Sequence, residues 1–351
     1  MRIFALTVAL LLTACSSLSP TEHVARQLHQ VPEQTELSIL WLSDSASQSL
    51  GLRYQQGQWQ RQHNQHALFG TGSITKLLTA HWFALRFADG SLQPEQPMSS
   101  LLPELCPALA QLELGALLTH STGLPFLPDD IGDMPLINSN PFADYDGHRL
   151  QQHCPANSAI QQRQGRYHYS NLGYAYLALG MQAMTGLDYE ALLQAAMLQP
   201  LGLQHSSTER PKPPAPLVAG QNPDGSITPD WDFAAFTGSG GLYSSSHELG
   251  IWLAQQLTAN HPAIRSMQAA HHPAAGLGWQ RRRAGTRRWL EQTGATGGYS
   301  AALLLAPDRR QAILILSNLS GLHPDAVAIA KLAEYLLLQN PFMPNVDALK
   351  D

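Results

Sequence analysis

Strand-type segments stand at both ends of this chain and helix-type segments fill its middle, an order that narrows the folds open to it. Residues 37–42 and 51–54 are short β-type runs separated by turn-forming residues, which predicts antiparallel strands. Residues 287–292, 299–306 and 311–317 repeat the pattern, and Pro307-Asp308-Arg309-Arg310 turns the last two into a hairpin. Their interiors are apolar with little alternation, as in strands covered on both faces. Apolar periodicity predicts helices over residues 73–89, 112–119, 171–185, 245–257 and 324–338. The expected fold class is α/β (α+β). An antiparallel sheet of N- and C-terminal strands is flanked by helices, with a mainly helical lobe inserted between them. A cleft between sheet and lobe is the default binding site.

The first long helix opens on Gly70-Thr71-Gly72-Ser73-Ile74-Thr75-Lys76-Leu77-Leu78. Side chains three apart on a helix share a face, with Cβ atoms about 5–6 Å apart. A hydroxyl beside an amine is a nucleophile beside a proton acceptor. The plainer reading is a serine cap followed by a solvated lysine, and composition weighs against it. The chain has seventeen Arg and four Lys (Lys76, Lys212, Lys331 and Lys350). Arginine serves for solvation but keeps its proton, whereas a buried lysine can release one. Ser73 and Lys76 are therefore candidate catalytic residues.

At 351 residues the chain can bury a large core, and its net charge of −5 with 13% charged residues gives no general attraction to nucleic acid. Its first residues read differently. Arg2, then the apolar run 3–12, then Leu12-Thr13-Ala14-Cys15 resembles a bacterial lipoprotein leader with its lipidated cysteine. An ordinary cleaved leader would leave Cys15 unexplained. The expected organisation is a signal peptide over residues 1–14, a lipid-anchored polar tether over 15–33, and one two-lobed domain over 34–345. That resemblance implies an exported bacterial lipoprotein, with Ser16 favouring the outer membrane facing the periplasm, and membrane contact through the lipid alone. Cys106 and Cys154 remain, and the sequence leaves open whether they pair or stay as two buried thiols.

Two more stretches carry polar chemistry. Tyr169-Ser170-Asn171 stands at a helix start, where Asn is also a common cap. Gln292-Thr293-Gly294-Ala295-Thr296-Gly297-Gly298-Tyr299-Ser300 also fits a glycine-rich hairpin. Residues 126–148, rich in Pro, Asp, Asn and Gly, are long enough for a lid or specificity loop. The glycine-rich segment 238–243 is weak evidence for a phosphate cradle, since no strand clearly leads in and no lysine follows.

Taken in order, Ser73-x-x-Lys76, Tyr169-x-Asn171 and the Gln292-Thr293-Gly294 box resemble the serine β-lactamase and penicillin-binding-protein superfamily. The match is to its class C β-lactamase, D-Ala-D-Ala carboxypeptidase and esterase branch. The segments 117–125 and 240–244 add local matches, and the resemblance covers residues 36–340. It implies a β-lactamase/transpeptidase-like fold and a serine acyl hydrolase without metal or other cofactor. Ser73 is then the nucleophile, Lys76 its base and Tyr169 the proton relay. Asn171 is expected to hold Lys76 and the substrate amide. The backbone N–H groups of Ser73 and Ala295 are expected to form the oxyanion hole, with Thr293 and Gly294 on the strand edge beside the substrate. The implied partner is a small molecule or peptide: a β-lactam, a D-Ala-terminated peptide or an ester.

One position departs from that pattern. The third box of the superfamily begins with Lys or His, which binds a substrate carboxylate, and here it begins with Gln292. Gln donates a hydrogen bond without charge, so the expected β-lactam and D,D-peptide specificity becomes open to a neutral-ester alternative. Arg281, Arg282, Arg283, Arg287 and Arg288 lie just upstream, as a solvated hairpin or as the source of the missing charge. Other hydrolase classes lack their signatures: neither Gly-x-Ser-x-Gly nor His-Glu-x-x-His occurs. His63, His66, His271 and His272 read as surface residues, and fifteen scattered histidines do not make a metal site. A lipid-anchored binding or sensor protein with little turnover is the non-enzymatic alternative.

Overall fold

A computed structural model describes residues 19–131, 140–212 and 216–339. Among the described residues, nine strands form two sheets. They are β1 (Glu36–Ser43), β2 (Ser47–Gln55), β3 (Gln58–Gln62), β4 (Phe69–Gly70), β5 (Tyr243–Ser244), β6 (Gln280–Ala284), β7 (Arg287–Ala295), β8 (Ser300–Ala306) and β9 (Gln311–Ser317). Seven of them make one antiparallel sheet in the order β3-β2-β1-β9-β8-β7-β6, and β4 pairs with β5. The two ends of the chain meet at its centre, where Leu37 stands opposite Ser317 and Ser43 opposite Gln311. This is the mixed architecture that the strand–helix–strand order predicts.

Both faces of the central strands are covered, which explains their poor alternation. Leu303, Leu305, Leu314 and Leu316 point into the larger apolar cluster, shared with the helical lobe. Ala302, Leu304, Ile313 and Ile315 point into a second cluster on the opposite face. That second cluster is closed by two helices from opposite ends of the sequence, α1 (Pro20–Gln27) and a C-terminal helix (Ala326–Gln339). The outer strands are polar, and β6 carries Arg281, Arg282 and Arg283, the charged dressing that discourages edge-to-edge association.

The tether expected over residues 15–33 is corrected from residue 19 onward. Ser19 caps α1 through a capping box with Glu22, and Val24 and Leu28 are fully buried against the sheet and the C-terminal helix. The segment is mostly polar because only one side of a two-turn helix faces the core. Residues 1–18, with Cys15 and the expected leader, lie outside the described residues, as does the centre of the 126–148 loop.

The lobe is organised by two long helices. α2 (Thr75–Ala88) follows a short 3-10 turn at Gly72–Ile74, so Ser73 lies in that turn and Lys76 in the first turn of α2. All residues from Thr75 to Ala84 are buried. α3 (Asn171–Thr185) is capped by Ser170 and ended by Gly186 with φ 71°. Cys106 and Cys154 are joined, with 5.9 Å between their Cα atoms, which resolves the open choice in favour of a disulfide across the lobe. Among the described residues, no helix is long and apolar enough to cross a membrane.

Candidate active site

Where the lobe meets the sheet, backbone packs on backbone. Gly72 has φ +53°, and a Cβ there would stand 2.7 Å from Ala295 N. A Cβ on Gly294 would stand 2.0 Å from Thr71 O and 3.3 Å from Ser73 N. Only glycine at both places lets the turn carrying Ser73 press against β7. Contact at this seam brings the Ser73 amide beside Gly294 and Ala295.

β7 keeps a free edge there. β6 pairs with it only as far as Gln280 opposite Glu291, so among the described residues no strand lies on that side of Gln292, Thr293, Gly294 and Ala295. On the other side β8 pairs through Ala295 opposite Ser300. Four residues of open edge thus run past Ser73, a ready partner for an extended ligand backbone.

Lys76 is completely buried, with Nζ 2.9 Å from Ser73 Oγ and 2.5 Å from the carbonyl oxygen of Ser239. Burial alone lowers its pKa well below the ordinary lysine value. The Ser239 carbonyl comes from the glycine-rich 238–243 segment, which packs on the Ser73 helix rather than cradling phosphate. A backbone carbonyl leaves no side-chain signature by which a sequence could announce it.

Tyr169 completes the cluster. Its hydroxyl accepts a 3.0 Å hydrogen bond from Gln292 Nε2, and the Lys76 amine stands 5.1 Å from its ring centroid. Burial pushes its pKa up to about 12, against the opposing effect of hydrogen bonds with Ser73 and Gln292. Tyr169 therefore stays a phenol across the neutral range.

Gln292 is fully buried and its orientation is determined. Nε2 also donates to the Ser73 carbonyl oxygen at 3.0 Å. Flipping the amide would set two acceptor oxygens against each other, so Oε1 turns away, buried and without a partner. Asn171 differs from expectation: Lys76 bonds Ser73 and Ser239 instead, and Asn171 Oδ1 is buried and unpartnered. The Asn171 amide N–H donates to Phe126 O at the start of α3. Thr293 is half-buried and Ala295 exposed on the open edge.

The arginines upstream turn elsewhere. Arg282 pairs with Glu291 at 3.1 Å, Arg281 donates to Gln268 O, and Arg287 to Leu338 O. Arg281, Arg282, Arg283 and Arg288 line, with Arg265, an open groove of about 510 Å³ that contains none of Ser73, Lys76, Tyr169 or Gln292. The charge missing at Gln292 is not restored by these contacts.

The fold and this cluster define a class: a two-lobed protein with a serine–lysine–tyrosine constellation at the seam. The Beta-lactamase family model matches residues 43–337, and the chain belongs to that family, within the serine β-lactamase and penicillin-binding-protein superfamily. Among curated proteins, a Beta-lactamase of Providencia stuartii is 31% identical over 147 residues, covering 41% of this chain and 35% of that protein. Probable hydrolase M10 of Phoma sp. is 21% identical over 299 residues, covering 73% of this chain and 50% of that protein. Penicillin-binding protein 4 of Amycolatopsis lactamdurans is 28% identical over 149 residues, covering 40% and 36%. The chain spans half or less of the length of these relatives. Among solved structures, the class C beta lactamase from Rhodobacter sphaeroides superposes with TM-score 0.71 at 19% identity, covering 91% of this chain and 97% of that one. The octameric penicillin-binding protein homologue from Pyrococcus abyssi gives 0.68 at 21% identity, covering 91% and 76%. At those identities the two structures speak for the fold.

Proposed function

We propose that the chain is a serine acyl hydrolase working through an acyl-enzyme on Ser73. The observation that carries this is the fully buried Lys76 amine 2.9 Å from Ser73 Oγ, where burial lowers its pKa. Ser73 Oγ attacks the carbonyl carbon while its proton passes to the neutral amine of Lys76. The oxyanion is held by the backbone N–H groups of Ser73 and Ala295, each such donor contributing about 3–4 kcal/mol of barrier lowering. As the intermediate collapses, the leaving group departs with a proton delivered by Tyr169, and the Lys76 ammonium replaces that proton, returning the amine to its neutral form. Water then attacks the acyl ester, giving its proton back through Tyr169 and Lys76, and the free acid leaves Ser73 restored. The substrate class is an amide, lactam or ester, of the β-lactam or D-Ala-terminated peptide type.

A second substrate reading, a neutral ester, is favoured by Gln292, which supplies donors and an orphaned acceptor where a carboxylate would need a cation. Either way the test is direct. Intact-mass spectrometry after exposure to a penicillin, a D-Ala-D-Ala peptide and a short-chain ester should reveal an adduct lost in Ser73→Ala. An adduct that persists in that variant would sink the mechanism.

The exported, lipid-anchored state is proposed with it. The Cys106–Cys154 disulfide fits an oxidising compartment, and Cys15 has the leader context for lipidation. Metabolic lipid labelling should disappear in Cys15→Ser; unchanged labelling would rule the anchor out.

A further inference from the structure

His120 grips Tyr169 from three directions. Its carbonyl oxygen accepts the His168 N–H at 2.7 Å, and its Nδ1 accepts the Ser170 N–H at 3.1 Å. These are the two chain neighbours of Tyr169. Its ring also stacks on the Tyr169 ring, with centroids 4.4 Å apart and planes at 30°. Tyr174, in α3, lies 5.1 Å away on the same imidazole, and Tyr167 meets it edge-on at 5.8 Å.

Two features separate His120 from an ordinary core residue. Its backbone has φ 57°, a left-handed conformation that costs a non-glycine residue about 1–3 kcal/mol and gathers at functional sites. It is only 2% exposed, yet Nε2 is buried without a partner. Because Nδ1 accepts the Ser170 N–H, the proton of the neutral ring sits on Nε2, where nothing receives it. A leucine or phenylalanine would fill this space without an orphaned polar atom. What the imidazole adds is the acceptor that holds Ser170.

We propose that His120 is a positioning residue for the reaction, fixing the Tyr169 hydroxyl against Ser73 and Gln292. The inference rests on the hydrolase reading above, since it gives Tyr169 a proton to move. Displacements of about 1 Å can cost a hundredfold in rate, so a side chain that sets the ring of a proton relay has leverage without touching substrate. Lys76 lies over the rings of Tyr169 and Tyr174, at 5.1 and 5.6 Å from their centroids. An uncharged imidazole behind those rings adds no second cation beside the base.

The test uses two variants in two backgrounds. His120→Phe keeps a stacking ring and loses the acceptor; His120→Asn keeps an acceptor, tolerates the left-handed backbone and loses the stack. Each is made alone and with Tyr169→Phe, checked for folding by thermal unfolding, and assayed on p-nitrophenyl acetate. A fluorophosphonate probe reports Ser73 directly. We expect kcat to fall on the order of tenfold to a hundredfold in His120→Phe and less in His120→Asn, with KM changed under about twofold. In the Tyr169→Phe background neither change should cost anything further, because their effect passes through the tyrosine. Losses that persist at full size in that background would reduce His120 to a structural role, as would variants that fold and turn over normally. Should His120→Phe not fold, the Asn pair decides alone. A wild-type protein that the probe does not label at Ser73 refutes the hydrolase reading itself, a result distinct from labelled protein with indifferent His120 variants.

Discussion

Lys76 Nζ lies 2.9 Å from Ser73 Oγ and 2.5 Å from the Ser239 carbonyl oxygen, inside a fully buried position. A carbonyl oxygen can only accept, so the amine must give it an N–H. A neutral amine then still has its lone pair for the Ser73 O–H, whereas an ammonium has none. Burial favours the neutral form, so the same packing that hides Lys76 prepares it as a base.

Replacing that amine by a permanent cation should therefore be as harmful as removing it. Lys76→Arg and Lys76→Ala should both lose on the order of 10²–10⁴-fold in kcat/KM, the usual range for general-base catalysis. Adduct formation at Ser73 should slow in parallel. Near-normal turnover in the arginine variant would mean that Lys76 only positions the serine, leaving Tyr169 as the base.

The pH profile should carry the same signature. With its pKa lowered from 10.5, Lys76 is deprotonated across a wider neutral range, and activity falls only as acid protonates it. Tyr169, pushed up to about 12, remains a phenol through the alkaline side. The expected kcat/KM curve has an acid limb and is already level in the window just below the ordinary lysine pKa of about 10.4. A rate climbing about tenfold per pH unit through that window would show an ordinary lysine and defeat the assignment.

The lobe is tied by the bond between Cys106 and Cys154, 48 residues apart. Closing a loop of that length restricts the unfolded chain by about 4 kcal/mol on the chain-entropy account. Cys106→Ser, or mild reduction, should lower the unfolding free energy by about 2–4 kcal/mol in denaturant titrations. Ser73 labelling in the folded protein should persist, since the bond lies outside the catalytic cluster. Identical midpoints with and without reductant would mean that the thiols do not pair in solution.

Much of this was legible in the sequence because it rests on local patterns. The end of α3 follows from the Gly186 stop and the β8–β9 hairpin from apolar runs around a turn, although the cap of α3 is Ser170 where the sequence offered Asn171. Ser73 and Lys76 were marked by spacing and by the scarcity of lysine. What escaped depends on tertiary contact. The segment of α1 reads as a tether because only a few of its residues, Val24, Leu28 and Val31, enter a core completed by strands and a helix distant in sequence. The pairing of the two cysteines needed their distance. His120 sits within a segment matched to the superfamily, yet its hold on Tyr169 spans about fifty residues and no periodicity encodes it. Asn171 was expected on Lys76 by resemblance, and the Ser239 carbonyl takes that place.

Gln292 offers the sharpest test of substrate class. It sits where the superfamily pattern has a cation, and its amide is spent on Ser73 O and Tyr169 OH. If a missing positive charge limits recognition of a substrate carboxylate, Gln292→Lys should selectively help acidic substrates. A hydrogen bond to a charged group contributes about 1.5–3 kcal/mol, or roughly one to two decades in kcat/KM. The gain should be absent for a neutral ester and should shrink as salt screens the pair. Removing the amide also costs Tyr169 one donor, which lowers the absolute rate on every substrate. The useful quantity is therefore the ratio of kcat/KM on a β-lactam or D-Ala-terminated peptide to that on a neutral ester. A ratio that rises on the order of tenfold or more would show that the native site lacks a carboxylate anchor. A ratio that stays fixed would mean that another group already provides one. Arg287→Ala and Arg288→Ala separate the sources, since a selective loss on the acidic substrate would bring an arginine into the site. The partner that Arg287 already holds, and the place of Arg288 in the groove away from Ser73, argue that these variants will change nothing, and that the ratio will move.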